Sequence, residues 1–352
     1  MNTWLTLIAF SACLSDAVGL QCLNDAGKPV DWFIVYKLPT IPESSHPLVK
    51  EGVGHFYMDV TSPQWSLSDV SVNSSGHAVY NTLKQIYGSS GGDVAYVMYN
   101  DEKPTGQKTE SYGHTKGVVG FDRSVGFWLV HSTPKFPPAK TEGYNWPETA
   151  LHYGQSFLCV TYNYNSLDII GTQFHYNYPW VYDFSMPDGF KQDNINLTKY
   201  LESTSKPHPK SPPWNSLRPL VSKGGDNFIS FAKFNSYDED LYSSWIAPFL
   251  NSPLKTETWQ NGRGKLPSNC TTKLFKVYNI EKISLPEQVA FAETKDHSKW
   301  AVTTAGNPPW VCIGDINRQE HQLERAGGTV CFKHQMVHDQ FAKSVAAYED
   351  CK

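Results

Sequence analysis

Asp31-Trp32-Phe33-Ile34-Val35-Tyr36-Lys37 sets an unbroken apolar run behind an acid, and Asp226-Asn227-Phe228-Ile229 repeats its opening 195 residues later. A short apolar run of this kind reads as a strand covered on both faces. A second pair of segments falls in the same order: His114-Thr115-Lys116 and His297-Ser298-Lys299, 183 residues apart. An apolar strand with a tryptophan follows each, Trp128 and Trp310, and His131 and Gly314 both stand 17 residues beyond the histidine. Ordered matches at similar offsets predict two duplicated halves.

The remaining pattern is mixed α and β. Val94 to Tyr99 and Phe127 to Val130 read as further strands between Gly, Pro and Asn turns. Helices are expected from Ser74 to Tyr87 and from Asp238 to Leu250, where apolar residues recur at helical spacing. The stretch Ser203 to Gly225 holds Pro207, Pro209, Pro212, Pro213 and Pro219, which exclude a helix or a central strand, so it reads as a linker. Pro134 to Pro147 reads as a second long loop. The expected organisation is a signal segment (1–19), a first half (20–202), the Pro-rich linker (203–225) and a second half (226–352).

The 352 residues are 14% aromatic and 18% charged, against about 25% charged in ordinary soluble domains. That composition excludes a disordered tail, a coiled coil and a collagen-like chain. Net charge is −4 with histidine neutral, which argues against a dedicated nucleic-acid binder at pH 7. Full protonation of the twelve histidines moves the balance to as much as +8, so affinity for a polyanion is expected to switch on in acid.

Leu5-Thr6-Leu7-Ile8-Ala9-Phe10 begins an apolar stretch too short to span a bilayer, and Ala17-Val18-Gly19 supplies small residues for cleavage. Past it remain Cys22, Cys159, Cys270, Cys312, Cys331 and Cys351, an even set that permits three bridges. Sequons at Asn73, Asn196 and Asn269 fit the same secretory route. No metal-ligand spacing appears, no metal or cofactor is expected, and no long apolar segment supports membrane insertion.

In an extended strand residues i and i+2 share a face, so each His-x-Lys projects its imidazole and ammonium together. One such motif is an ordinary solvated edge; two in matched contexts, meeting about a pseudo-twofold axis, make a phosphoryl-transfer site without a metal. The lysines balance charge on the non-bridging oxygens, one imidazole attacks phosphorus, and the other protonates the leaving alkoxide. Gly113 and Gly117 favour close backbone approach around His114. His131, Ser132, Asp315 and Asn317 stand where supporting groups are useful, although each alone reads as a turn residue.

At these residues the chain resembles the deoxyribonuclease II family, acid endonucleases of the phospholipase D superfamily. The resemblance covers essentially the whole mature chain. It is carried by Asp31 to Pro39, Tyr99-Asn100-Asp101-Glu102, Gly113 to Gly117, Gly126 to Ser132, Asp296 to Trp300, Gly314 to Arg318 and Arg325-Ala326-Gly327-Gly328. It implies two pseudo-equivalent α/β halves, each a β-sheet flanked by helices, with the active site at their interface. It also implies metal-independent cleavage of double-stranded DNA to 3′-phosphate and 5′-hydroxyl ends in lysosomes, where DNA of dead or engulfed cells is degraded. The catalytic residues implied are His114, Lys116, His297 and Lys299, and the disulfides are Cys22–Cys159, Cys270–Cys351 and Cys312–Cys331. One departure concerns the wider superfamily, which places an acid five residues after the lysine: Asp122 is six after Lys116, and Thr303 and Thr304 occupy the matching region of the second half. Asp122 is therefore only a candidate orienting group, and Asn317 in Gly314-Asp315-Ile316-Asn317 is the better candidate for phosphate or histidine support. Rival readings are an inactive DNA-binding or scavenging homologue and a lipid hydrolase on the same fold. Oligomeric state, monomer or homodimer, stays open, as does lysosome against secretion.

Overall fold

The computed structural model describes residues 19–90, 92–304 and 308–351, so residues 1–18 of the expected signal segment lie outside the described residues. The first half forms β1 (Trp32–Lys37), β2 (His55–Asp59), β3 (Ser62–Leu67), β4 (Ala95–Asn100), β5 (Lys116–Phe121), β6 (Val125–His131), β7 (Gln155–Asn163) and β8 (Val181–Ser185). These make one antiparallel sheet in the order β3-β2-β1-β7-β6-β5-β4-β8. The second half forms β9 (Asn215–Val221), β10 (Asn227–Lys233), β11 (Leu254–Glu257), β12 (Val277–Leu285), β13 (Val289–Ala292), β14 (Trp300–Thr303), β15 (Trp310–Gly314), β16 (Gly327–Lys333) and β17 (Val345–Tyr348). Their order is β13-β12-β11-β14-β15-β16-β10-β9, with β17 beside β12.

The central runs β1-β7-β6-β5-β4 and β10-β16-β15-β14-β11 therefore correspond strand for strand. Helices correspond too: Ala78–Tyr87 precedes β4 as the helical segment Leu241–Leu250 precedes β11, and Ser166–Asn177 follows β7 as Gln335–Ser344 follows β16. The two sheets face each other. Trp32, Ile34 and Tyr36 on β1 join Trp300 and Val302 on β14 and Val330 and Phe332 on β16 in one shared core. The alternate residues Phe33 and Val35 turn outward to a cluster with Val79, Leu83 and Ile86. Strand β1 is thus buried on both faces, which is why its sequence runs apolar without alternation.

Two helices cross between the halves. Ser166–Asn177 packs on β9, β10 and β16, and Gln335–Ser344 packs on β3 as well as β12, β14 and β15. The repeated acids also act across the junction. Asp226 accepts from Trp32 Nε1 at 2.8 Å, and Asp31 accepts from Ser222 Oγ and the Gly224 amide.

Three segments differ from the sequence reading. The Pro-rich stretch is not wholly a linker, because Asn215–Val221 pairs with β10; it does so at the sheet edge, where Pro219 is tolerated. The first helix begins at Ala78 rather than Ser74, since Gly76 at φ 94° breaks the entry. The second begins at Leu241: Asp238 is left-handed, and the Asp240 carboxylate caps the turn by accepting from the Tyr242 amide at 3.1 Å. The sulfurs pair as Cys22–Cys159, Cys270–Cys351 and Cys312–Cys331. Among the described residues no helix is long and apolar enough to cross a membrane.

Phe341 on the Gln335–Ser344 helix is fully buried, with its ring 5.1 Å from Trp65 of the first half and 5.0 Å from Trp300 of the second. Phe341→Ala is expected to cost about 3–5 kcal/mol by urea denaturation. A loss under about 1 kcal/mol would show that this contact does not join the halves.

Candidate active site

Both His-x-Lys motifs lie at the mouths of corresponding strands. Lys116 opens β5, and Lys299 immediately precedes β14. Each histidine precedes its strand rather than lying within it, and each motif is clamped to the opposite half. The His114 amide donates to the Ala326 carbonyl at 2.8 Å, just before β16, and the His297 amide donates to the Gly154 carbonyl at 2.9 Å, just before β7. Glycine is required at the first clamp, because a Cβ on Gly113 would stand 1.9 Å from the Asn177 carbonyl oxygen.

The reciprocal clamps bring His114, Lys116, His297 and Lys299 together in one cleft of about 380 Å³, which Ser132 and Asn317 also line. Lys116 pairs with Asp101, whose other oxygen accepts from Arg325 Nη2 at 2.9 Å and lies 3.9 Å from His114 Nε2. Nδ1 of His114 meets the Asp315 carbonyl oxygen. His297 is stacked on Tyr153 with centroids 4.2 Å apart and meets the Trp259 ring edge-on at 3.9 Å. Lys299 Nζ donates to the His297 carbonyl.

With that geometry the sequence comparisons agree. The family described as Deoxyribonuclease II matches residues 21–351. Plancitoxin-1 of Acanthaster planci is 46% identical over 100% of this chain and 98% of its own. Deoxyribonuclease-2-alpha of Mus musculus is 38% identical over 100% and 99%, and that of Bos taurus 40% over 99% and 95%. The chain belongs to the deoxyribonuclease II family. It is a DNA-degrading enzyme.

In this family member the cleft is charged, and its titratable side chains are largely buried. Burial and then Lys299, Lys116 and Lys37 push the His297 imidazole down to about 2. Burial and Lys116 also hold His114 well below the ordinary histidine value, with Asp101 opposing. Lys299 is lowered to about 7 by burial and by Lys116. Burial pushes the Asp315 carboxyl up to about 6, against a hydrogen bond from the Gly328 amide. Burial alone would raise Asp101, yet Lys116, His114 and Arg325 together pull it below the usual carboxylate range.

The other sequence candidates stand at varied distance from the chemistry. Ser132 Oγ donates to Gln155 Oε1 at 2.6 Å, and Asn317 Oδ1 accepts from the Trp259 amide at 3.2 Å. His131 is buried behind Lys116, stacked on Phe157, with Nδ1 accepting from the Thr133 amide at 3.2 Å. Asp122 is not brought to the cleft. It sits in the turn past the far end of β5, where its carboxylate accepts from the Leu20, Ser124 and Val125 amides.

Residue-type reasoning passed over Asp101, Arg325, Tyr153 and Trp259. Asp101 and Arg325 do lie in segments that carry the family resemblance. Glu257 was also missed: it is fully buried, neither oxygen has a hydrogen-bond partner, and burial holds it protonated far above its usual value.

The expected acid switch does not reach +8. Burial holds His55 and His131 near 3, His77 near 4 and His297 near 2, so these stay neutral at pH 5. Trp259→Ala, by wetting the His297 ring, is expected to raise its pKa toward 6.5. NMR titration of the histidine ring nitrogens checks this; an unmoved His297 would contradict burial as the cause.

Proposed function

We propose that this enzyme is an acid, metal-independent endonuclease that hydrolyses double-stranded DNA to 3′-phosphate and 5′-hydroxyl ends through a phosphohistidine. The observation that carries the reading is the convergence of two histidines and two lysines, one pair from each half, on one cleft. Lys116, Lys299 and Arg325 offer positive charge to the phosphate oxygens at short range. One imidazole attacks phosphorus and the other protonates the departing 5′-oxygen; water then resolves the intermediate with the second histidine acting as base.

The acid preference follows from the cleft itself rather than from the surface. Between pH 7.5 and 5 Lys299, at about 7, gains a proton, and Asp315, at about 6, loses its negative charge. Both changes make the cleft more cationic as pH falls, and the same fall raises the protonated fraction of a catalytic imidazole.

The broader setting belongs to the same proposal. A signal segment 1–19 is removed, and the mature halves 20–202 and 226–352 are joined through 203–225. The protein acts in lysosomes, or after secretion, on DNA of dead or engulfed cells. Asn73, Asn196 and Asn269 are its glycan acceptors; Asn73 is exposed, whereas Asn196 Nδ2 donates to Asp168 at 2.7 Å and must release it first.

Full cleavage of plasmid DNA is expected at pH 5 in excess EDTA, and activity that disappears and returns with Mg²⁺ would sink the mechanism. His114→Ala or His297→Ala is expected to lower turnover at least ~10²-fold, and Lys116→Ala or Lys299→Ala to cost heavily. His46→Ala and His208→Ala, outside the cleft, should cleave like the parent. Alkaline denaturing quench with DNA labelled on the 3′ side, which preserves the acid-labile P–N bond, should trap label on one histidine.

A further inference from the structure

The two halves repeat their backbone at the cleft but not their charge. Strand register aligns Tyr99 with Gly117 and Glu257 with Trp300, so Asp101 in the first half corresponds to Trp259 in the second. The two histidines therefore stand in unlike surroundings. Both ring nitrogens of His114 face oxygen: Nδ1 the Asp315 carbonyl and Nε2 the Asp101 carboxylate at 3.9 Å. A proton on Nδ1 serves the Asp315 carbonyl, and the Asp101 carboxylate is the nearby anion that favours a second proton on Nε2 against the surrounding cations. His297 instead lies between Tyr153 and Trp259, its charged neighbours are Lys299, Lys116 and Lys37, and its Nε2 has no hydrogen-bond partner. That is the setting of a neutral imidazole with an uncommitted nitrogen.

We propose that Asp101, held between Lys116 and Arg325 where the halves meet, is the positioning residue that makes His114 the leaving-group acid and leaves His297 as the nucleophile. The inference rests on the two-histidine reading above. Arg325 fixes the carboxylate: besides Asp101 it donates to the Thr109 carbonyl at 2.7 Å and the Tyr112 carbonyl at 3.3 Å, so it ties the loop before His114 to the second half. The charged groups around His114 are Asp101 in its favour as a cation and Lys116, Arg325 and Lys299 against it, so the carboxylate is the one group that supports protonation. In the first step a ring nitrogen of His297 bonds to phosphorus, the P–O5′ bond breaks, and the proton on His114 passes to O5′. Water then attacks phosphorus, its proton goes to neutral His114, and the P–N electron pair returns to His297 as the 3′-phosphate leaves. His114 ends protonated as it began.

Two substrates separate the roles: DNA, whose alkoxide needs a proton, and thymidine 3′-(4-nitrophenyl phosphate), whose nitrophenolate leaves without one. Asp101→Asn is expected to lower DNA turnover ~10²-fold while the rate of the first-turnover nitrophenolate burst, which precedes hydrolysis of the phosphohistidine, falls less than about tenfold, and Asp101→Glu to recover part of the DNA activity. His114→Gln should share that pattern, and His297→Gln should lose both activities. A merely structural Asp101 would depress both substrates equally in a protein with the parent's melting temperature, and that result overturns the proposal. Should Asp101→Asn fail to fold, the two histidine variants decide: a nitrophenolate burst kept by His297→Gln and lost by His114→Gln reverses the assignment. Undiminished DNA cleavage by both histidine variants would refute the two-histidine reading itself, a different failure from an equal loss in Asp101→Asn.

Discussion

The apolar faces of the two sheets are buried against each other, and every feature of the cleft is placed by that packing. Its polar end lies directly beneath the second motif. Tyr36 of β1 donates to Asp296, meets Ser298 Oγ at 3.0 Å and accepts from Trp300 Nε1 at 3.2 Å, so a first-half strand fixes the residues on both sides of His297. At the next residue of β1, Lys37 is fully buried and its ammonium donates to the Leu151 carbonyl at 2.7 Å and the Tyr153 carbonyl at 2.9 Å. That holds in place the loop whose tyrosine stacks on His297. Lys233 at the end of β10 does the corresponding work on the second half, donating to the Gln322 and Leu323 carbonyls at 2.9 and 2.6 Å. A buried ammonium without these acceptors would cost several kcal/mol, so the lysines and their loops are ordered together.

Symmetry supplies the frame and its breaking supplies the chemistry. Two identical motifs in identical surroundings would share one protonation equilibrium, and neither would be committed to attack or to donation. A carboxylate at one strand end and an indole at the other remove that degeneracy. The backbone correspondence survives intact around the change, in the clamps at Ala326 and Gly154 and in the order of the strands.

Much of this was legible from residues alone, because strands and motifs announce themselves locally. The run from Trp32 to Lys37 reads as a covered strand, and the duplicated His-x-Lys points to paired imidazoles. What escaped was pairing at long range. Asp101 and Arg325 are 224 residues apart, and nothing in the type or spacing of either names the other. The stacking of Tyr153 on His297 joins loops of different halves and leaves no periodic trace. Asp122 misled for the opposite reason: its spacing from Lys116 resembled a known pattern, but a tight turn between β5 and β6 consumed its lone pairs in backbone amides. Counting histidines as a surface reservoir failed because several are core residues, which composition does not distinguish.

Among the described residues the disulfides stay within their own halves: Cys22–Cys159 closes the first, and Cys270–Cys351 and Cys312–Cys331 lie in the second. No covalent cross-link therefore keeps the two imidazoles in register, and that task falls to apolar packing together with the few hydrogen bonds that cross the junction. Neither sheet has a complete core without the other, since each crossing helix covers strands of the opposite half. The two motifs therefore cannot move apart with their sheets without exposing that shared core. Heat would not first loosen the catalytic centre and later melt the scaffold, because the contacts that fail in the two events are the same ones.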